Sequence, residues 1–108
     1  MLDSVRPAAV AGMFYPGRPD VLRNDIADFL QQAKRTEPRR PKALLVPHAG
    51  YVYSGPIAAA AYKTLQPWHS QIRRVIVLGP SHRQPLAGLA LPSDTSFATP
   101  LGCIPVDP

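Results

Sequence analysis

The sequence predicts an α/β fold with a central, mainly parallel sheet flanked by helices. Two short apolar runs, residues 43–46 and 74–78, are typical of strands that are covered on both faces. Residues 54–65, which lie between them, are rich in alanine and predict a helix of the length that a crossover needs. Because such crossovers bring both strand ends to one edge of a parallel sheet, the loops that follow the two strands are expected to meet.

Two helices are predicted from periodicity and end signals. Residues 20–34 carry apolar side chains at three- and four-residue spacing, which indicates an amphipathic helix, and Asp20 is the expected N-cap. For the helix at residues 54–65, Ser54 is the expected N-cap. Pro56 then falls in the first turn, where its missing N–H costs little.

The rest of the chain is punctuated by many of its 14 prolines. Residues 1–19 are predicted to be an extended, turn-rich lead-in, and residues 99–108 a loop-rich tail. A weaker apolar run at residues 88–91 is a candidate third strand.

Length and composition favour one small cytoplasmic domain. The 108 residues are 45% hydrophobic and 18% charged, and no apolar run is long enough to cross a bilayer. The N-terminus lacks the apolar block of a signal peptide, so neither secretion nor a membrane partner is expected. A single cysteine, Cys103, excludes an internal disulfide and fits a reducing compartment.

The net charge of +5 is concentrated in one basic stretch. One interpretation is a patch for phosphate or nucleic acid, and the other is a solvated helix end followed by a polar loop. No aromatic side chain interleaves with these cations to stack on bases, so the second interpretation is favoured and no nucleic-acid partner is predicted. The cations concerned are Lys34, Arg35, Arg39, Arg40 and Lys42.

Two histidines stand just after the predicted strands, at the expected ligand edge of the sheet. His48 follows the first strand and His82 follows the second, so one shared site is geometrically allowed. A neutral imidazole in such a loop can bind iron, copper or zinc, or act as a general base. The structural alternatives are a histidine that hydrogen-bonds loop carbonyls and a plain tight turn.

Three polar side chains near the histidines are candidates for binding a substrate. Tyr51 and Tyr53 offer phenol groups, and Ser81 belongs to a turn whose amides could face an anion. His69, in a connector beside Trp68, is expected at the surface instead. Cys103 has no paired cysteine or CxxC spacing and is not expected to be a ligand.

Five ordered blocks, which together cover essentially the whole chain, resemble the MEMO family, whose bacterial and archaeal members are called AmmeMemoRadiSam system protein B. One of these blocks, Pro-His-Ala-Gly-Tyr-Val-Tyr-Ser-Gly-Pro, is ten residues long, which makes the match specific. The blocks are residues 5–7, 11–16, 47–56, 78–82 and 99–102.

The resemblance implies a fold like the class III extradiol ring-cleaving dioxygenases, with a metal pocket at strand ends. Carried over onto this sequence, the metal ligands are His48 and His82, and the cofactor is iron or copper. Many family members have a second histidine where this chain has Arg83. The family's third ligand is a cysteine much later in the chain. No residue here corresponds to it, and Cys103 is not at the matching position.

Family members are also considerably longer than this sequence. Residues 1–108 are therefore expected to form the N-terminal part of one MEMO-like α/β domain, with the C-terminal remainder absent and the fold incomplete in this chain. Such a chain is expected to show little activity alone and to expose apolar sheet edge.

Two function classes follow from the resemblance. One is a metal-dependent redox enzyme of the oxygenase type, and the other is a non-catalytic scaffold that uses the same pocket to recognise a peptide or small ligand. A metal-free acid–base enzyme ranks last, because no Ser-His-Asp or Cys-His arrangement is recognisable. The substrate, the choice of metal and the oligomeric state stay open at this point.

Overall fold

A computed structural model describes residues 3–34 and 38–108. This part of the chain is α/β, with two helices, one turn of 3₁₀ helix and a three-stranded mixed sheet. In chain order the elements are β1 (Val5–Arg6), α1 (Pro19–Gln32), α2 (Tyr51–Lys63), the 3₁₀ turn (Gln66–Trp68), β2 (Ser96–Thr99) and β3 (Gly102–Pro105).

The sheet joins the two ends of the chain. Its order is β1-β2-β3, with β1 parallel to β2 and β2 antiparallel to β3. Between β2 and β3 the chain reverses tightly, and Gly102 adopts φ 137°, a conformation that a side chain would disfavour. Thr95 ties β1 to the hairpin, because its hydroxyl accepts from the Ser4 amide at 2.9 Å and donates to the Ser4 carbonyl at 2.8 Å.

The strand predictions at residues 43–46, 74–78 and 88–91 are wrong for the described part of the chain, which forms no ladder there. The sheet lies instead near residue 5, in the predicted lead-in, and after residue 95. There β3 falls in the predicted loop-rich tail, whereas most of β2 lies in residues for which no element was predicted. A strand needs a neighbour for its N–H and C=O groups, and none of these runs has one. Most of their side chains are open to solvent: Leu45 is 100% exposed and Ile76 is 89% exposed. These exposed apolar side chains lie in runs outside the sheet, not at the sheet edge where exposure was predicted.

Both predicted helices exist, with shifted starts. α1 begins at Pro19 and is capped by the backbone of Arg18, while Asp20 lies in the first turn and pairs with Arg18 at 2.9 Å. α2 begins at Tyr51 after Gly50, so Pro56 lies inside the helix rather than in its first turn. Proline at position 1 of α1 explains the earlier start there, since its fixed φ suits the first helical residue.

The core lies between the two helices. Leu22 of α1 and Ala59 of α2 are buried, and Gly55 brings the helices close together. A methyl group at Gly55 would lie 2.7 Å from the Phe29 ring, so the packing depends on the missing side chain. Lys63 adds a polar link, because its ammonium donates to the carbonyls of Leu30 at 2.8 Å and Ala33 at 2.7 Å, near the C-terminus of α1.

Two further predictions concern a nucleic-acid partner and a membrane partner. Of the basic stretch, Arg35 lies outside the described residues. No helix in the described ranges is long and apolar enough to cross a membrane.

Candidate functional site

The two predicted histidines lie together at the surface. The Nε2 atoms of His48 and His82 are 3.2 Å apart, and the ring centroids are separated by 5.2 Å at an interplanar angle of 31°. Both side chains are exposed. The predicted meeting of the two loops is therefore confirmed, even though the strands expected to bring them together are not formed.

His48 stands on a loop that is fixed from two sides. The Ser54 hydroxyl, buried in α2, donates to the carbonyl of Ala49 at 2.8 Å and approaches that of Gly50 at 3.2 Å. The Tyr51 amide donates to the Phe14 carbonyl at 2.7 Å. Ser54 was the expected N-cap of α2, but it lies one turn inside the helix. Its hydroxyl bonds backward to these carbonyls and so anchors the residues that follow His48.

The segment around Phe14 is itself a tight turn. The Gly12 amide donates to the Tyr15 carbonyl at 2.7 Å, and Gly12 adopts φ 81°, in the left-handed region. This turn presents the Phe14 carbonyl to α2. Gly12, Phe14 and Tyr15 therefore help to fix the loop that carries His48.

His82 stands on a loop with much less support. All residues from 73 to 93 are exposed, and the local contact is the Ser81 hydroxyl, which donates to the Gln84 carbonyl at 2.6 Å. Ser81 therefore closes the turn that carries His82, and its hydroxyl is engaged there. Arg83 follows His82 and is likewise exposed.

The spacing of the two nitrogens suits a metal ion. Two imidazole nitrogens in adjacent positions of one ion, each about 2.1 Å from it, lie roughly 3.0–3.4 Å apart. The observed 3.2 Å is within this range and also suits a direct N–H···N hydrogen bond between neutral rings. Among the described residues no group of three His, Cys, Asp or Glu side chains is placed to hold a metal.

An apolar cavity of about 530 Å³ opens beside His48, between α1, α2 and the Phe14 turn. Tyr51 forms part of its wall and is half-buried, with its ring centroid 5.5 Å from that of Tyr15 and 6.3 Å from that of Phe29. Burial raises the pKa of the Tyr51 phenol, and the neighbouring phenols Tyr15 and Tyr62 raise it further. The neutral phenol is therefore the form present at neutral pH.

The other candidates take different places. Tyr53 is 79% exposed and does not line this cavity. His69 is at the surface as expected, with Nδ1 2.7 Å from the Gln66 carbonyl. Cys103 is exposed on β3, opposite Ala98.

The sequence interpretation missed Tyr15, Phe29 and Tyr62 as walls of the cavity. Tyr15 belongs to a block with Gly12, which signals a tight turn, and Phe29 is on the apolar face of α1. Both signals were readable, but only the packing of α1 on α2 places these rings beside His48.

The chain belongs to the Memo-like protein family, whose sequence pattern matches residues 6–108.

Relatives from vertebrates and from a bacterium are similar to this chain to nearly the same degree. The chain is 40% identical over 102 residues to protein MEMO1 of Homo sapiens, covering 94% of this chain and 33% of the relative. It is 39% identical over 103 residues to a MEMO1 family protein of Aquifex aeolicus, covering 95% of this chain and 37% of the relative. Protein MEMO1 of Danio rerio is 41% identical over 103 residues, again with 94% and 33% covered. The chain thus spans about a third of the length of the curated relatives it matches.

Proposed function

We propose that His48 and His82 are two protein ligands of a non-haem metal site of the dioxygenase-like kind, serving redox chemistry in a complete protein. The observation that supports this most is the 3.2 Å separation of their Nε2 atoms, which suits two adjacent ligands of one ion. An iron or copper ion bound there would supply electron transfer and a binding position for oxygen or an oxygen-rich substrate.

The chain's own residues prepare the site in three ways. Ser54 and Tyr51 fix the loop that carries His48 through hydrogen bonds to backbone carbonyls. The aromatic cavity beside His48 offers an apolar substrate a largely apolar surface. The neutral Tyr51 phenol provides a donor in that wall, suited to orienting a substrate oxygen.

Metal binding by the purified chain tests the proposal directly. Titration with Cu²⁺ in a calorimeter should give one binding event, and His48→Ala or His82→Ala should each weaken it at least tenfold, because a single imidazole remains. His69→Ala is the matched control, since His69 lies elsewhere and contacts Gln66. Electron paramagnetic resonance should show nitrogen hyperfine coupling in the parent chain. Unchanged binding in the His48/His82 double variant would remove the basis of the proposal.

The alternative is a scaffold that uses the cavity to bind an apolar peptide side chain or small molecule without turnover. The volume of about 530 Å³ and the aromatic walls favour such a ligand. Fluorescence titration with a hydrophobic dye distinguishes the two functions. Binding that persists in His82→Ala and is lost in Phe29→Ala supports the scaffold role, because Phe29 lines the cavity and His82 does not.

A further inference from the structure

We propose that a groove between α1 and the start of α2 binds a small alkylated ammonium ion. The groove has a volume of about 550 Å³, and its walls are α1, the Phe14 turn and the first turn of α2. A volume of this size is typical of sites for small molecules. Neither His48 nor His82 lines the groove, so this site is separate from the proposed metal site.

The walls of the groove are rich in aromatic rings. The Tyr51 ring centroid lies 5.5 Å from that of Tyr15 and 6.3 Å from that of Phe29. The planes of these two pairs are inclined at 38° and 75°, so the ring faces are not parallel. The face of an aromatic ring attracts a cation, and several rings around one space are typical of sites for quaternary ammonium groups. The aromatic side chains that line the groove are Phe14, Tyr15, Phe29, Tyr51 and Tyr53.

Asp25 determines the sign of the charge that the groove attracts. Its side chain is half-buried on α1, one turn before Phe29, and no Lys, Arg or His is found among the described residues that line the groove. Asp20 on the same helix is paired with Arg18 at 2.9 Å. Asp25, in contrast, makes no ion pair or hydrogen bond within the described part of the chain. A carboxylate without a partner, placed among aromatic rings, favours an organic cation.

Anions and metal ions fit this groove less well. The start of α2 could attract an anion through its backbone amides, but the Tyr51 amide already donates to the Phe14 carbonyl at 2.7 Å. The Tyr53 amide likewise donates to the Gly50 carbonyl at 2.9 Å. A hard metal ion requires several oxygen ligands, whereas one carboxylate is present among the described lining residues. The net charge of +5 repels cations in general, so the attraction for an ammonium ion has to come from the groove itself.

Titration of the chain with choline, followed by ¹H–¹⁵N NMR, tests the inference. The amides of Gly12 and Gly50, which line the groove, should shift and reach saturation. The neutral alcohol 3,3-dimethylbutan-1-ol has the shape of choline without its charge. It should bind at least about tenfold more weakly, because the rings and the carboxylate attract the charge.

Variants separate the contribution of the carboxylate from that of the rings. Asp25→Asn keeps the shape of the side chain and should weaken choline binding about tenfold. Asp28→Asn is the matched control and should leave binding unchanged, since Asp28 is exposed on the same helix and does not line the groove. Tyr53→Ala removes an exposed ring and should weaken binding several-fold, whereas Tyr53→Phe keeps the ring and should bind as the parent chain does.

The remaining outcomes overturn the inference. Equal binding of choline and the neutral alcohol would assign the groove to apolar ligands. Unchanged binding in Asp25→Asn, or an equal loss in Asp28→Asn, would show that the groove carboxylate does not select the cation. Calorimetry with Cu²⁺ keeps the two proposals apart, because Asp25→Asn should bind Cu²⁺ as the parent chain does. Loss of either site therefore leaves the other standing.

Discussion

The loops that carry His48 and His82 bring the two rings together, but they differ in how many contacts hold each loop in place. The His48 loop is bonded to a buried hydroxyl in α2 and adjoins the Phe14 turn, next to the packed helix pair. The His82 loop lies in a long exposed stretch, residues 73–93, in which Ser81 bonds to the Gln84 carbonyl and the exposed Arg74 pairs with Asp107. Of the two proposed ligands, His48 thus stands on a well-supported loop and His82 on an exposed one. If both bind one metal ion as proposed, we expect binding to order mainly the His82 loop.

Overpacking the helix interface should have the largest effect. Gly55→Leu places a side chain where even a methyl group would lie 2.7 Å from the Phe29 ring, so α1 and α2 must separate. We expect a loss of about 1–3 kcal/mol in the free energy of unfolding, measured by urea denaturation. Metal affinity should fall as well, because the His48 loop depends on this platform.

The matched control for that experiment is Ala60→Leu, on the exposed face of the same helix. It introduces the same leucine side chain at an exposed position and should change stability little. Equal losses in the two variants would show that the Gly55–Phe29 contact does not hold the helices together.

Removing the hydroxyl that supports each loop should change stability by an intermediate amount. The pair of variants tests the difference between the two loops directly. Ser54→Ala deletes the buried donor to the Ala49 carbonyl and should lower the free energy of unfolding by about 1 kcal/mol. Ser81→Ala deletes the exposed donor to the Gln84 carbonyl and should leave stability nearly unchanged. Both should weaken Cu²⁺ binding a few-fold in calorimetry. If Ser81→Ala destabilised the fold as much as Ser54→Ala, the contrast between the loops would be lost.

The smallest effect concerns Tyr51 at alkaline pH. Its pKa is raised above the ordinary value of 10.0 by burial and by the neighbouring phenols. The folded state therefore prefers the neutral phenol. The resulting stability is fully present below about pH 10 and is lost as the pH rises through the higher folded pKa. Unfolding measured between pH 9 and pH 11.5 should show a decline that is shallower in Tyr51→Phe. Tyr53→Phe, exposed on the same helix, should leave the decline as in the parent chain.

The helices and the site residues were largely readable from the sequence. Periodicity found α1 and α2 because helical hydrogen bonds close within four residues, so local sequence carries most of the signal. The errors are at the ends: Asp20 and Ser54 were expected as N-caps, yet helix starts were set by Pro19 and Gly50. Both helices can begin without a side-chain cap, and Ser54 instead bonds backward to the carbonyl of Ala49.

The strands were not readable in this way. Apolar composition at residues 74–78 indicates a strand that other elements cover, but a ladder forms only when a partner distant in sequence pairs with it. The mixed polar and apolar residues of β2 and β3 form a sheet because they pair across a tight turn and because Thr95 holds β1 against them.

By itself the sequence determined the α/β class, the two helices, membership of the family and the two histidines worth testing. Only the tertiary structure decided which segments pair in the sheet, which aromatic rings wall the cavity, and that the two Nε2 atoms face each other at 3.2 Å. The division follows from the range of the forces involved. Helix formation and turn chemistry are decided by neighbours within a few residues, whereas strand pairing and side-chain convergence depend on contacts between segments that the chain must first bring together.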